Sequence, residues 1–121
     1  MPPTLEQRLM ERSSLTRAQV ESMGLHVLVR RRELTDAEAA RRRGKEGVTL
    51  GSYYRVLGQG RTNTERALFT LLLTIRMGVV RMENLRRLLE LMAKTPSGIE
   101  EGSSVEVMSL IDALVKHVVT V

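Results

Sequence analysis

The chain has 121 residues, 42% of them hydrophobic and none of them cysteine, which suits one folded domain with a core of modest size. The absence of cysteine excludes disulfides and thiolate metal sites, and no stretch approaches the roughly 20 apolar residues of a membrane span. We therefore expect a cytoplasmic protein that has no signal peptide and no membrane partner.

The net charge of +5 is distributed unevenly along the chain. Residues 1 to 29 are balanced, residues 30 to 95 carry fifteen basic side chains against seven acidic ones, and residues 96 to 121 have a net charge of −3. A basic middle indicates contact with a polyanion, whereas an acidic, apolar tail suits self-association. Surface ion-pair networks of the thermophilic type are the alternative explanation, since sixteen of the nineteen basic residues are arginine.

Two capping boxes mark the beginnings of early helices. Thr16 with Gln19, and Thr35 with Glu38, match the pattern in which a threonine and a residue three positions later cap a helix reciprocally. The second of these helices is short and ends at Gly44. An apolar stripe before the first box adds another short helix, and no segment alternates as a half-buried strand would. The chain is therefore predicted to be all-α, with five or six helices.

The strongest apolar pattern follows a third capping box. Thr62 with Glu65 predicts the start of a central helix that ends at Gly78, and we interpret the preceding Gly58 to Gly60 as a turn. Phe69 lies within this helix and is expected in the core. The predicted core-facing stripe consists of Ala67, Leu68, Leu71, Leu72 and Ile75.

The tail carries a heptad-like seam. Its apolar residues recur at spacings of four, three and four, which predicts a helix that pairs with its copy in a dimer or tetramer. The alternative is a helix packed on its own domain, because two heptads are few. We accordingly divide the chain into a basic binding domain at 1–95 and a linker with an oligomerisation helix at 96–121. The predicted oligomerisation residues are Val107, Ile111, Leu114 and Val118.

No combination of residues for catalysis is visible. His26 and His117 are the only histidines, and neither has a metal-binding partner at helical spacing. The glycines near residue 60 lack the lysine and hydroxyl of a phosphate-binding loop. We therefore expect no enzymatic activity, no metal and no cofactor.

The cations of the middle segment are clustered around both tyrosines. Single-stranded nucleic acid is held by cations that contact phosphates and by aromatic faces that stack on bases. For the two tyrosines, base contact and core packing are equally compatible with the sequence. The predicted nucleic-acid site consists of Arg30, Arg31, Arg32, Arg41, Arg42, Arg43, Lys45, Tyr53, Tyr54, Arg55, Arg61 and Arg66.

Residues 51 to 92 resemble the DNA-binding domain of the archaeal ThermoDBP family and its related proteins. They read GSYYRVLGQGRTNTERALFTLLLTIRMGVVRMENLRRLLELM, and the resemblance extends over about the first 95 residues. It implies a compact basic domain from a thermophile that binds single-stranded DNA without an OB fold and largely without sequence preference. It also implies a variable C-terminal part that oligomerises. The short tail of this chain departs from the family's pattern, which leaves the assembly open.

Two other functions are compatible with the sequence. In a helix-turn-helix that binds duplex DNA, Glu65 to Met77 would form the first helix, Gly78 to Arg81 the turn and Met82 to Ala93 the reading helix. In a protein-interaction module, the basic surface would contact an acidic partner. For a single-strand binder the ligand is DNA or RNA.

Overall fold

The computed structural model describes residues 3–96 and 101–121, and over those residues it contains six α-helices and no β-strand. An isolated antiparallel bridge joins Val80 and Val119. The all-α prediction is confirmed, and none of the described helices combines the length and hydropathy of a membrane-spanning segment. The helices are α1 (Leu5–Arg12), α2 (Arg17–Arg30), α3 (Asp36–Arg42), α4 (Leu50–Arg76), α5 (Met82–Lys94) and α6 (Glu101–Val118).

Both early capping boxes are confirmed. Thr16 begins α2 and Thr35 begins α3, and each threonine side chain accepts a hydrogen bond from the backbone three residues later. In return, Oε1 of Gln19 accepts a hydrogen bond of 3.1 Å from the backbone N–H of Thr16. Oε1 of Glu38 likewise accepts one of 3.2 Å from the backbone N–H of Thr35. The hydrogen bonds from Thr35 lower the pKa of Glu38. Thr4 begins α1 with the same arrangement.

The third predicted helix start is wrong. Helix α4 begins at Leu50, and the hydroxyl of Thr49 accepts a hydrogen bond from the backbone N–H of Ser52 at 3.1 Å. Thr62 and Glu65 therefore lie in the middle of a 27-residue helix. The backbone upstream of Thr62 is already helical, so its N–H groups need no cap.

The glycines of the predicted turn lie inside α4, where one of them has a packing role. A Cβ atom on Gly60 would lie 2.9 Å from Sδ of Met23 and 3.2 Å from Cβ of Gln19, both on α2. Glycine at this position thus allows α2 and α4 to approach each other closely. The contacts between the helices offset the intrinsic cost of a glycine in a helix, which is about 1 kcal/mol.

The chain forms two compact units, which we call the central and the terminal unit. The central unit is Ser14–Ala67, and the terminal unit combines the described residues of Met1–Ser13 and Leu68–Val121. This division differs from the predicted boundary after residue 95, because α6 packs against α1 and α5. Residues 97–100 of the predicted linker lie outside the described residues.

The core of the central unit is built around one aromatic ring. Tyr53 is completely buried and packs against Ala39 and Ala40 of α3. Its hydroxyl lies 3.2 Å from Nδ1 of His26 on α2. The three helices of this unit, α2, α3 and the first part of α4, therefore meet at Tyr53. Partly buried apolar residues complete the cluster: Leu25, Val29, Val48 and Leu57.

The seam of the tail faces the core of its own chain. Ile111 and Val118 are buried, and Val107 and Leu114 are half-buried. Ile111 packs with Leu5 of α1, so the last helix is joined to the first. Side chains that are buried within one protomer are not available to a second one, and any interface between copies must use other residues.

Polar contacts strengthen the attachment of α6 to the terminal unit. Arg12 of α1 binds Asp112 through two hydrogen bonds of 2.8 and 3.1 Å. The backbone N–H of Arg81 donates to the carbonyl of Val118 at 3.1 Å, next to the isolated bridge. The tail is therefore an integral part of the terminal unit.

The second half of α4 is only partly buried, contrary to expectation. Leu71 and Ile75 pack against the core of the terminal unit. Phe69 is 69% exposed, however, and Leu68 and Leu72 are each 58% exposed. The prediction that Phe69 is a core residue is wrong, because the apolar residues of this segment cover two faces of the helix and the core contacts one.

Candidate nucleic-acid interface

The whole net charge of the protein belongs to the central unit. Residues 14–67 contain eleven Lys or Arg and six Asp or Glu, a net charge of +5, whereas the rest of the chain contains eight of each sign. A local excess of this kind attracts polyanions and raises their local concentration. The central unit is therefore the part of the molecule most suited to bind one.

Most cations of the central unit have no acidic partner. Among the described residues, Arg12, Arg43 and Arg61 are the arginines that lie within 4.0 Å of a carboxylate oxygen. A thermophilic ion-pair network requires far more matched pairs, so it does not account for the arginines here. Nine cations of the predicted site are exposed: Arg30, Arg31, Arg32, Arg41, Arg42, Lys45, Arg55, Arg61 and Arg66.

Arg43 differs from the other cations because it serves the fold. Its side chain is only 11% exposed, and its Nε lies 3.3 Å from Oε1 of Glu21. Its Nη1 donates a hydrogen bond of 3.0 Å to the hydroxyl of Ser22, which is completely buried. This guanidinium joins the end of α3 to α2, so the triplet at 41–43 offers two cations to a ligand instead of three.

Arg32 adopts a backbone conformation that usually requires glycine. Its φ is +62°, its N–H donates to the carbonyl of Val29 at 3.0 Å, and the N–H of Glu33 donates to the carbonyl of Leu28 at 2.9 Å. This is the Schellman pattern at the end of a helix. A side chain in the left-handed region costs about 1–2 kcal/mol, so α2 ends with an exposed cation at a strained position.

A groove beside α4, which we call the first groove, brings two of the predicted cations together. It has a volume of about 450 Å³, within the range of small-molecule sites. Met23 and Leu57 give it an apolar wall, and Arg30 and Arg61 are the cations of its lining. The remaining lining residues are His26, Thr64 and Glu65.

The wall of the first groove was not predicted from the sequence. Met23 and Leu57 have the spacing of ordinary core residues, and the groove exists because α2 and α4 approach each other at Gly60. A glycine in a long helical apolar pattern is the signal that could have indicated this approach.

The two tyrosines have different roles. Tyr53 is completely buried, so it is a core residue and presents no face to a ligand. Burial raises the pKa of the Tyr53 phenol. Tyr54 is 45% exposed, and its hydroxyl donates a hydrogen bond of 2.6 Å to Oδ2 of Asp36. That hydrogen bond raises the pKa of Tyr54. Of the pair, Tyr54 alone is accessible to a base.

A second groove lies on another side of α4. Its volume is about 560 Å³, and it brings together Arg55 and Arg66, which are separated by three helical turns. Asn63 donates a hydrogen bond of 3.1 Å to Oε1 of Gln19 at its edge. Its other lining residues are polar or glycine: Gly58, Gln59 and Thr62. The predicted cations thus fall into two grooves and an exposed group around α3.

The elements of the alternative helix-turn-helix are present in part. Helix α4 is followed by a turn with Gly78 at φ +78° and by α5, on which Arg86 and Arg87 are exposed. Asn84, however, donates a hydrogen bond of 3.1 Å to the backbone carbonyl of His117. The candidate reading helix therefore has fewer free polar groups than its sequence indicates, and it lies in the unit without net charge.

The two histidines belong to different units of the chain. His26 lies in the first groove beside the Tyr53 hydroxyl, and His117 is exposed near the end of α6. Across the side chains of residues 3–96 and 103–121, no three histidines, aspartates or glutamates are grouped so that they could hold a metal ion.

Comparison with known proteins gives no match: no family model, curated protein or solved structure is significantly similar to this chain. The charges and the geometry of the central unit consequently carry the inference of function.

Proposed function

We propose that this protein is a non-enzymatic, cytoplasmic protein that binds single-stranded nucleic acid through its central unit. The observation that carries the proposal is that the entire net charge of +5 belongs to residues 14–67, largely on cations that are exposed and unpaired. The resemblance of residues 51 to 92 to the ThermoDBP family favours DNA as the ligand.

The first groove suits one unstacked base with its flanking phosphates. Met23 and Leu57 offer apolar contacts to the face of a base, and Arg30 and Arg61 lie close enough to the groove to bind phosphate oxygens. In a duplex, the faces of the bases are covered by stacking, so this arrangement favours a single strand. Further exposed cations extend the phosphate contacts beyond the groove: Arg31, Arg32, Arg41 and Arg42.

Titration of matched single- and double-stranded oligonucleotides, followed by fluorescence anisotropy, tests the proposal. We expect tighter binding of the single strand, with the logarithm of the affinity falling against the logarithm of the salt concentration by about 0.7 for each phosphate neutralised. Equal or tighter binding of the duplex would favour the helix-turn-helix. Absence of binding to either oligonucleotide at low salt would favour a protein partner.

Two double variants separate the groove from general electrostatic attraction. Arg30→Ala with Arg61→Ala removes the two cations of the first groove, and we expect a 10- to 100-fold loss of affinity, which corresponds to two hydrogen bonds of about 1 kcal/mol each. The salt slope, which is the steepness with which the logarithm of the affinity falls against the logarithm of the salt concentration, should decrease by about 1.4. Arg86→Ala with Arg87→Ala removes the same charge from α5, in the terminal unit, and should leave the affinity nearly unchanged. Equal losses in both variants would contradict binding in the groove.

Arg32 allows a test in which stability and affinity change in opposite directions. Arg32→Gly relieves the left-handed strain and should raise the free energy of unfolding by up to about 1 kcal/mol, measured by chemical denaturation. The same change removes a cation and should weaken single-strand binding several-fold, with a salt slope lower by about 0.7. A more stable variant with unchanged affinity would remove Arg32 from the proposed site.

A further inference from the structure

The outer face of α4 in the terminal unit carries an exposed apolar stripe. Leu68, Phe69, Leu72, Leu73 and Met77 are each between 58% and 69% exposed. Their positions form two adjacent rows with a spacing of four residues, so they share one side of the helix. Full burial of a side chain of this size would contribute about 1.5–3 kcal/mol to stability, and most of this is not gained while the side chain remains in water. Five of them on one side indicate a surface that is covered in the functional state.

The area of the stripe is close to what a stable interface needs. The five side chains together expose on the order of 600 Å², which is the upper limit of the apolar patches on ordinary monomers. A standard protein interface buries about 800 Å² on each partner, with an apolar centre and a polar rim. The stripe with a few neighbouring residues therefore suffices for a pairwise contact.

The charges along α4 indicate which partner fits. Glu65 precedes the stripe and Arg76 lies near its other end, eleven residues later, which places both on the same side of the helix. In an antiparallel pair of identical helices, each Arg76 approaches the Glu65 of the other copy. The same register sets Phe69 of one copy opposite Leu72 of the other. The surface is therefore complementary to itself under a two-fold axis, as the interface of a symmetric dimer must be.

We propose that a second copy of this chain binds the apolar stripe of α4, so that the protein is a dimer joined by antiparallel α4 helices. The seam of α6 is not required, because Ile111 and Val118 are buried in the protomer core. The exposed ion pair between Arg61 and Glu65, with 3.5 Å between Nε and Oε1, contributes little and leaves Glu65 free to pair with another copy. The proposal does not depend on nucleic-acid binding, and its test requires no ligand.

Mass measurement by light scattering and sedimentation, over a wide range of protein concentration, tests the dimer. The wild-type chain should have twice its mass of 13.6 kDa, and Leu72→Glu with Leu73→Glu should reduce it to the monomer mass while circular dichroism stays unchanged. Leu110→Glu is the matched control, since Leu110 is 49% exposed on α6 of the same unit, and it should remain dimeric. A monomeric wild-type protein, or a dimer that survives the double change, would overturn the proposal.

A charge exchange tests the antiparallel register separately. Arg76→Glu places like charges together at both ends of the pair and should weaken the dimer, whereas Glu65→Arg with Arg76→Glu restores opposite charges and should recover it. Failure of the exchange to restore the dimer would exclude the antiparallel arrangement. These variants also decide the proposal if the double glutamate variant does not fold.

Discussion

Replacing Tyr53 by alanine is expected to lower the free energy of unfolding by about 3–5 kcal/mol, the range for truncation of a buried aromatic side chain. Tyr53 has no exposed surface, and its ring fills the space between α3 and α4 against Ala39 and Ala40. The cavity cannot collapse easily, because α2 also contributes to this cluster. Chemical denaturation followed by circular dichroism measures the loss.

Two related variants test whether the loss of stability comes from the buried ring of Tyr53. Tyr53→Phe removes only the hydroxyl that lies 3.2 Å from His26, and should cost about 1 kcal/mol with single-strand affinity unchanged. Tyr54→Ala truncates the exposed ring and should cost much less than Tyr53→Ala. Similar losses for the two alanine variants would contradict the central position of Tyr53. A loss of affinity in a folded Tyr54→Ala variant would identify its ring as a base contact.

Ile111→Ala is expected to cost about 2–5 kcal/mol, which is the range for a buried isoleucine. Ile111 is 5% exposed and packs with Leu5 and Met108 in the core of the terminal unit. Leu110→Ala is the control on the same helix, because Leu110 is 49% exposed, and it should change stability by about 0.5 kcal/mol.

The mass of the Ile111→Ala protein decides whether the seam of α6 acts within one chain or between chains. A residue of the protomer core affects unfolding, and the folded variant should keep the mass of the wild-type protein. If Ile111→Ala instead lowered the mass and left the stability of the folded chain unchanged, the seam would form the interface between subunits. The heptad spacing alone is compatible with both outcomes, because an amphipathic helix shows the same pattern whichever surface it packs against.

Local sequence signals identified the early helices but failed in α4. A capping box acts within four residues, so Thr16 and Thr35 could be recognised without knowledge of the fold. Thr62 and Glu65 show the same pattern where the backbone is helical on both sides. Whether the helix continues through Gly60 depends on α2, more than thirty residues earlier in the chain, and no local window contains that contact.

The sequence predicted which residues of the candidate site are exposed cations better than it predicted where the packing of the helices places each side chain. Clusters of arginine are exposed almost wherever they occur, so most of the predicted cations are on the surface. Arg43 is an exception because its guanidinium forms an ion pair with Glu21 and donates a hydrogen bond to Ser22. Both contacts depend on how α2 and α3 pack. Tyr53 and Tyr54 are neighbours that point to different sides of α4, and only the position of the core determines which is buried.

The sequence order of the two units constrains how the protein folds as it is synthesised. The central unit is continuous, so all of its residues are synthesised before the larger segment of the terminal unit, Leu68–Val121. The terminal unit requires contacts between α1 and α6. Arg12 can form its hydrogen bonds only after Asp112, 100 residues later, has been synthesised. The core that Leu5 shares with Ile111 therefore stays incomplete until α6 has been synthesised. We expect the central unit to form first and the terminal unit to assemble afterwards, when α6 brings the first helix into its core.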